Sequence, residues 1–376
     1  MLLLDRYILV RFTTNFALLF LLLFIFGAAI DVILGLDRFV DVARLVAGPD
    51  GGVLRFSFSL VGLIIDYQAP RLFQFYAYLH GLVAIGAMGF TLAQMHRHRE
   101  LVAVMASGVS LYRVAMPFLI GVFALSIAQL FNQEMILPRV APLLLRDYGQ
   151  IGQHSVDSFE LRFTPDGKKS LFQSPSYDPQ TQTMVSPTIL ERDDRGRTVR
   201  RITAASATWS EPQNAWALSE GLALWRVPDP QAGEAESGSL REPIGTYATD
   251  LTPQVIMVRR FNQFAAMLSL NQISQMLDTP MLQARDALLR YRYSRFSSVL
   301  VSLLVLALTL PSFLLREPAN LLRQSVQCAA LAVPATVGSA IGMMVEMPGI
   351  SPAVGVFLPV IVLGFMSLFP WTHFKT

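Results

Sequence analysis

The sequence predicts a membrane α-helical bundle of six transmembrane helices, with an all-β, jelly-roll-like domain inserted between helices three and four. Three observations carry that prediction. Of the 376 residues, 53% are hydrophobic and only 15% are charged, well short of the ~25% charged residues usual in soluble domains. Six segments reach the ~20 apolar residues that cross a hydrocarbon core as helix: 12–34, 72–95, 115–137, 296–315, 325–345 and 352–370. Between the third and the fourth, the pattern changes to short β-rich runs divided by turn signals.

The first segment lies in "MLLLDRYILVRFTTNFALLFLLLFIFGAAIDVIL". Its apolar core is longer than the hydrophobic region of a signal peptide, and Ala28-Ala29 is followed by further apolar residues, so it reads as a retained helix. The fifth segment holds Pro334, Gly338 and Gly342 and the sixth holds Pro359; membrane helices tolerate such residues where neighbours satisfy the freed backbone groups. An even number of spans places both termini on one side. Arg6 and Arg11, then Arg97, Arg99 and Arg113, then Arg316 and Arg323, and finally Lys375 all fall on one face, which the positive-inside rule makes cytoplasmic. The 35–71 connection departs from this pattern with Arg38, Arg44, Arg55 and Arg71, among which Asp37, Asp41 and Asp50 are interspersed.

The insertion falls on the opposite side. "FELRF" and "KKSLFQ" flank the turn Thr164-Pro165-Asp166-Gly167, and "TVRRITAASATWS" and "NAWALSEGLALWRV" flank Glu211-Pro212. These read as strands of an antiparallel sandwich or jelly roll. Residues 229–243 read as a loop by composition, and Thr246–Val258 contains a candidate strand. A helical connector follows over about 261–291, with Asp278-Thr279-Pro280 as a cap and helix start. The organisation is thus 1–138 for helices one to three, 139–258 for the β domain, 259–295 for the helical connector and 296–376 for helices four to six.

Composition also excludes functions. A net charge of +3 gives no basis for a nucleic-acid partner. Cys328 is the only cysteine, which rules out an intrachain disulfide and a cysteine metal site. His96 and His98 are two apart and diverge by about 200° on a helix, a poor chelate, and no metal site is expected. The string nearest a P-loop, "DGKKS" at 166–170, has Arg162 where the first glycine belongs and Lys169 where Ser or Thr belongs. The chain is therefore not an ATPase by itself, and no catalytic residue and no bound cofactor is expected. His80, inside helix two, should face another helix or a cavity rather than lipid. Asn132 and Glu134 sit at the outer end of helix three and read as residues that make an interfacial or an inter-helix bond. Glu346 reads as a water-exposed helix end.

The connector between helices two and three, "HRHRELVAVMASGVSLYRVAMPFL" (96–119), is unusually patterned. Leu101, Val104, Met105 and Val109 make one apolar face, Gly108 can end a helix, and Ser110 can cap the next. This describes a short amphipathic helix over about 97–110. Two readings stand on these residues. One is an interfacial helix anchored by snorkelling arginines; the other is a coupling helix gripped by a separate ATPase, with Glu100 offering a carboxylate to a partner arginine.

"RELVAVMASGVSLYRVAMP" resembles the coupling-helix region of the lipopolysaccharide-transport permeases of the LptF/LptG (YjgP/YjgQ) family. "LDRYILVRF", "NQEMILPR" (132–139) and "YRYSRFSSVLVSLLVLALTLPSFLLRE" resemble other parts of that family, and the three-plus-three plan with a β insertion is similar to it. The resemblance implies an inner-membrane permease subunit of an ABC-type exporter that lifts lipopolysaccharide or a related glycolipid from the membrane. It implies four kinds of partner: a second related permease, a cytoplasmic ATPase dimer that holds ATP and Mg, a periplasmic bridge of similar jelly rolls, and the lipid itself. On this resemblance Arg97, Glu100, Leu101, Val104, Gly108 and Arg113 form the ATPase-coupling region. Arg38, Arg44, Arg55 and Arg71 are the candidate contacts for lipid phosphates, and Pro334, Gly338 and Gly342 give the fifth helix places to bend as part of a gate. Two other classes weighed against this are an ion-coupled transporter, which wants acids at mid-membrane, and a membrane-anchored scaffold for the β domain, which has no need of the patterned connector.

Overall fold

The computed structural model describes residues 3–48, 52–146, 158–193, 196–227, 238–260, 264–277, 285–313, 321–345 and 349–372. The chain divides into two compact units. One comprises Met1–Arg139, Leu268–Leu270 and Ala284–Thr376; the other comprises Val140–Met267 and Asn271–Gln283.

The first unit is helical. Its elements are α1 (Leu3–Leu34), α2 (Leu36–Ala47), α3 (Val53–Arg97), α4 (Glu100–Ala106) and α5 (Leu111–Phe131). A π-helical turn (Asn132–Ile136) follows α5 and leads into α6 (Leu137–Leu144). Later in the chain come α10 (Arg285–Thr309) with a 3-10 turn (Leu310–Ser312), α11 (Leu321–Met344) and α12 (Pro352–Thr372). Among the described residues, five stretches are long and apolar enough to cross a membrane: Leu3–Leu34, Val53–Arg97, Leu111–Leu144, Arg285–Ser312 and Arg323–Met344. α12 adds a shorter apolar stretch, Pro352–Leu368.

Aromatic and small residues set the packing. Phe12 of α1 is fully buried and meets Phe118 of α5 edge-on at 5.6 Å between ring centres, a geometry favoured by the ring quadrupoles. This approach depends on Gly121, where a Cβ would lie 2.6 Å from a Phe12 ring carbon. Between α1 and α3, Asn15 donates to Thr91 Oγ1 at 2.8 Å, so a buried amide is satisfied inside the apolar layer. Tyr76 of α3 reaches across to the Leu125 carbonyl of α5 at 2.8 Å. α1 holds the most apolar window of the candidate spans, and none of that window is fully buried: Phe20 and Phe24 rest against Phe75 of α3, while Leu22, Ile25 and Phe26 face outward.

The described residues of the 35–71 connection are almost entirely helical. Phe39, Ala43 and Ala47 bury one face of α2 at i, i+4, i+8 spacing, and Phe39 meets Tyr67 of α3 at 5.4 Å. α3 then runs 45 residues, well past the predicted 72–95, and carries Pro70 inside it. The far end of α1 is held here: Gln68 donates to Asp31 Oδ2 at 2.7 Å, and Arg71 lies 3.8 Å from the same oxygen.

In the second unit, ten strands among the described residues form one antiparallel sheet: β1 (Phe159–Pro165), β2 (Leu171–Asp178), β3 (Thr183–Val185), β4 (Thr188–Arg192), β5 (Thr198–Thr203), β6 (Ser206–Ser210), β7 (Ala215–Ser219), β8 (Leu222–Val227), β9 (Gly238–Pro243) and β10 (Thr246–Ala248). Their order is β10-β7-β6-β3-β2-β4-β5-β8-β9, with β1 paired to β2. Phe172, Tyr177, Ile189, Ile202 and Trp216 are among its buried residues. Trp216 donates to the Leu251 carbonyl at 3.0 Å, so its indole N–H is not stranded. The Thr164–Gly167 turn is built on Asp166, whose Oδ1 accepts from the backbone N–H groups of Lys168 (3.0 Å) and Ser170 (2.7 Å) and whose Oδ2 accepts from Thr249 (3.0 Å).

Two sequence expectations fail in this unit. The Thr246–Val258 run is strand only to Ala248; it becomes α7 (Pro253–Arg260), because Thr252 Oγ1 accepts from the Val255 N–H and Pro253 occupies the first turn. Within the predicted 229–243 loop, residues 238–243 form β9 against β8. The predicted helical connector contains α8 (Phe264–Met267) and α9 (Leu270–Leu277), while the Asp278-Thr279-Pro280 cap lies outside the described residues, as do Arg316, Glu346 and Lys375.

Candidate functional site

The connector between α3 and α5 condenses into α4, seven residues long, flanked by two backbone breaks. Arg99 precedes it with φ 57°, a left-handed conformation costly for a side-chain-bearing residue. Gly108 follows it with φ 77°, where glycine carries no Cβ penalty. Arg97 belongs to the last turn of α3 rather than to this helix. Ser110 stands at the N-cap of α5 in extended conformation but makes no side-chain capping bond, so its expected capping role is not realised.

α4 is seated by its apolar face. Leu101 is fully buried, and Val104, Met105 and Val109 pack against the same core from its edge. Leu101 and Val104 therefore hold the helix down rather than offer surface. The outward face carries Val102, Ala103, Ala106 and Ser107, rimmed by exposed Arg97, His98 and Arg99. Small residues with Arg97 and Arg99 at one end present a low-relief surface.

Glu100, at the first turn, is not idle. Its Oε2 accepts from Nη1 of Arg11 at 2.7 Å and from the Tyr7 hydroxyl at 3.1 Å. Nη1 of Arg11 also donates to Tyr7 at 2.5 Å, and its Nε donates to Gln94 Oε1 of α3 at 3.1 Å. Tyr7 and Arg11 are one turn apart on α1, so both face the same point. The ion pair is partly solvated, with the Arg11 and Glu100 side chains 22% and 31% exposed. Its contribution to stability is accordingly modest; what it fixes is direction. A longer contact, 4.0 Å, joins exposed Arg113 at the start of α5 to Asp5.

The other predicted residues are scattered. Arg38 and Arg44 lie exposed on α2, and Arg44 lines a shallow hollow with Asp41, Leu45 and Gly48. Arg55 is exposed at the start of α3. Arg71 is committed: besides Asp31, its guanidinium sits 3.5 Å above the centre of the Tyr67 ring. On α11, Pro334 and Gly338 face outward, and open space surrounds Gly338, whereas a Cβ at Gly342 would come within 3.2 Å of Pro359 on α12. His80 is buried among helices with both ring nitrogens unpartnered, and His96 is paired with the Phe313 carbonyl at 2.8 Å.

Sequence reasoning missed two features. Arg11 is a basic residue beside a span in any reading of one sequence; nothing local announces a partner 89 positions away. Arg295 is buried inside α10 and pairs with Glu134 at 2.8 Å, while Glu134 also accepts from the Leu270 N–H. The π-turn that aims Glu134 inward likewise has no sequence signal beyond the polar pair Asn132 and Glu134, of which Asn132 bonds the Phe73 carbonyl at 3.0 Å.

No curated protein matches this chain. Residues 6–373, nearly the full length, match the family described as "Lipopolysaccharide export system permease LptF/LptG". Helical membrane-like segments, an antiparallel sheet domain between them and a match of that extent have one reading: the chain belongs to the LptF/LptG family of lipopolysaccharide export permeases, non-catalytic inner-membrane transporter subunits.

Proposed function

We propose that this chain is one of two related permeases around which an ABC-type exporter is assembled, and that a separate cytoplasmic ATPase dimer, holding ATP and Mg, drives it through α4. The observation that carries this reading is the seating of α4: buried by Leu101 at one side, bounded by breaks at Arg99 and Gly108, and bearing a carboxylate at its rim. A helix so held can transmit displacement as a body instead of absorbing it.

The rest of the proposal follows from this placement. Six spans put both termini and α4 in the cytoplasm and the sheet unit in the periplasm, where it hands lipopolysaccharide, or a related glycolipid, to a bridge protein of similar jelly-roll fold. Exposed Arg38, Arg44 and Arg55 meet lipid phosphates; Arg71 joins them only by exchanging Asp31 for phosphate. Around Pro334, Gly338 and Gly342, α11 flexes as one wall of a gate, since proline removes one backbone bond and Gly338 faces open space. Arg97, Glu100, Gly108 and Arg113 frame the ATPase contact, with Leu101 and Val104 as its anchor.

The test is Glu100→Lys in the full chain co-expressed with its ATPase and partner permease. Co-purification of the ATPase and lipopolysaccharide release should both fall while membrane insertion is retained. Wild-type co-purification together with wild-type release would remove α4 from the pathway.

A further inference from the structure

We infer that Arg11 is a positioning residue that makes α1 the direct recipient of motion from α4, with Glu100 as a carboxylate shared between α1 and an outside cation. The inference rests on the reading of α4 as the point where the ATPase acts, and it concerns where that motion goes next.

Three observations support it. First, both donors from α1, the Arg11 guanidinium and the Tyr7 hydroxyl, converge on a single oxygen, Oε2. Among the described residues no hydrogen bond reaches Oε1, and the Glu100 side chain is 31% exposed. One carboxylate can therefore bind inward and outward at once, since an ionised carboxylate offers about four lone-pair sites. Second, the covalent routes out of α4 are both interrupted. The left-handed residue Arg99 separates it from α3 and Gly108 separates it from α5, so neither neighbour continues its axis. Among the described residues, the Arg11–Glu100 bond is the ion pair that joins α4 to another element. Third, the start of α1 is tied to the following element as well, through Asp5 and Arg113 at 4.0 Å.

The physical consequence is a relay of alternating charge. A cation docking on Oε1 leaves Glu100 between two positive groups, and a pull on the carboxylate is carried by the 2.7 Å charge-assisted bond to Arg11. Along its apolar run α1 has no fully buried residue and rests on α3 by one face, through Phe20 and Phe24 against Phe75 and Tyr76, whereas α3 and α5 are half buried along their windows.

The experiment is a double-mutant cycle in the complete exporter reconstituted in proteoliposomes, with lipopolysaccharide as the transported lipid and lipid released per ATP hydrolysed as the readout. Arg11→Met, Glu100→Gln and the double variant are compared, with Arg11→Lys as the conservative replacement. Arg11→Met should lower the yield per ATP by about tenfold, a coupling of ordinary allosteric size. The double variant should be no worse than the poorer single variant, because both remove one link, and Arg11→Lys should recover most of the yield because it keeps the cation. Losses that multiply in the double variant, or a Lys variant no better than Met, overturn the inference. So does an unchanged yield in Arg11→Met. Co-purification of the ATPase with Glu100→Lys, measured beside these, separates the two ideas: if that is unaffected, the role of α4 itself fails, whereas if it is lost and the cycle is additive, only the relay through Arg11 fails.

Discussion

Nη1 of Arg295 lies 2.8 Å from Oε2 of Glu134, and the same guanidinium donates to the Leu268 carbonyl. Arg295 is 2% exposed, while Glu134 is 38% exposed. The cation is thus the member that cannot tolerate losing its partner. Glu134→Ala should destabilise the helical unit by about 3 kcal/mol, toward the low end for breaking a buried pair because the acid is partly hydrated. Glu134→Gln should cost less, since an amide oxygen can still accept from Arg295. Thermal unfolding of the detergent-purified chain checks the order; equal losses for both substitutions would show that charge and not hydrogen bonding holds Arg295.

Gly121 tests the contact between α1 and α5. An added methyl would overlap the Phe12 ring at 2.6 Å, and overpacking of this kind costs about 1–3 kcal/mol. Gly121→Ala should loosen α1. In a Cys328→Ala background, a cysteine at the fully buried position Ile8 should react faster with maleimide when Gly121 is replaced. Unchanged labelling would mean that Phe12 rotates away without moving the helix.

Asp166 accepts three hydrogen bonds at the turn between β1 and β2 while only 6% exposed. Asp166→Ala strands two backbone N–H groups and should cost the sheet unit about 3 kcal/mol, with Asp166→Asn losing less. Three of the four tryptophans, Trp209, Trp216 and Trp225, lie in this unit, so denaturant unfolding followed by tryptophan fluorescence isolates its stability.

Tyr177 predicts a gain. Its hydroxyl is buried without a hydrogen-bond partner and its ring meets Trp216 edge-on. Tyr177→Phe should leave stability unchanged or raise it by up to about 1 kcal/mol, because an unsatisfied group is removed. Burial, and after it the nearby Asp178, raises the phenol pKa above its ordinary value. The stabilisation from keeping it neutral is complete below the unfolded value of about 10 and is lost as pH rises from there through the folded value. Alkaline unfolding, read by the same fluorescence, should therefore move to higher pH in Tyr177→Phe; no movement would mean another group controls it.

Hydropathy made the spans legible because an apolar run of sufficient length has few alternatives to membrane helix. α4 was legible because Leu101, Val104 and Met105 keep helical spacing and Gly108 marks a stop. α2 was not read, although Phe39, Ala43 and Ala47 carry the period, because alanine contributes little apolar contrast and four aspartates and arginines crowd the same twelve residues. The front half of α3 resembles a connection in the sequence because Arg55, Pro70 and Arg71 interrupt its apolar run; in the fold Arg71 finds its partners in Asp31 and Tyr67. α7 replaced an expected strand since β-branched Val255, Ile256 and Val258 favour extension, and only the Thr252-Pro253 start reverses that preference. The pairing of Arg11 with Glu100 belongs to the assembled bundle, and local pattern contains no trace of it.

Arg11 and Asp31 bracket α1 by twenty residues, or about 30 Å of helix rise, each engaged with a neighbouring element. That interval equals the hydrocarbon thickness of an ordinary bilayer. Thicker acyl layers would draw one bracket out of the head-group zone and strip its water, whereas thinner ones would bare apolar turns between them. For a helix that crosses a bilayer between these two residues, acyl-chain length is a load on both ends at once.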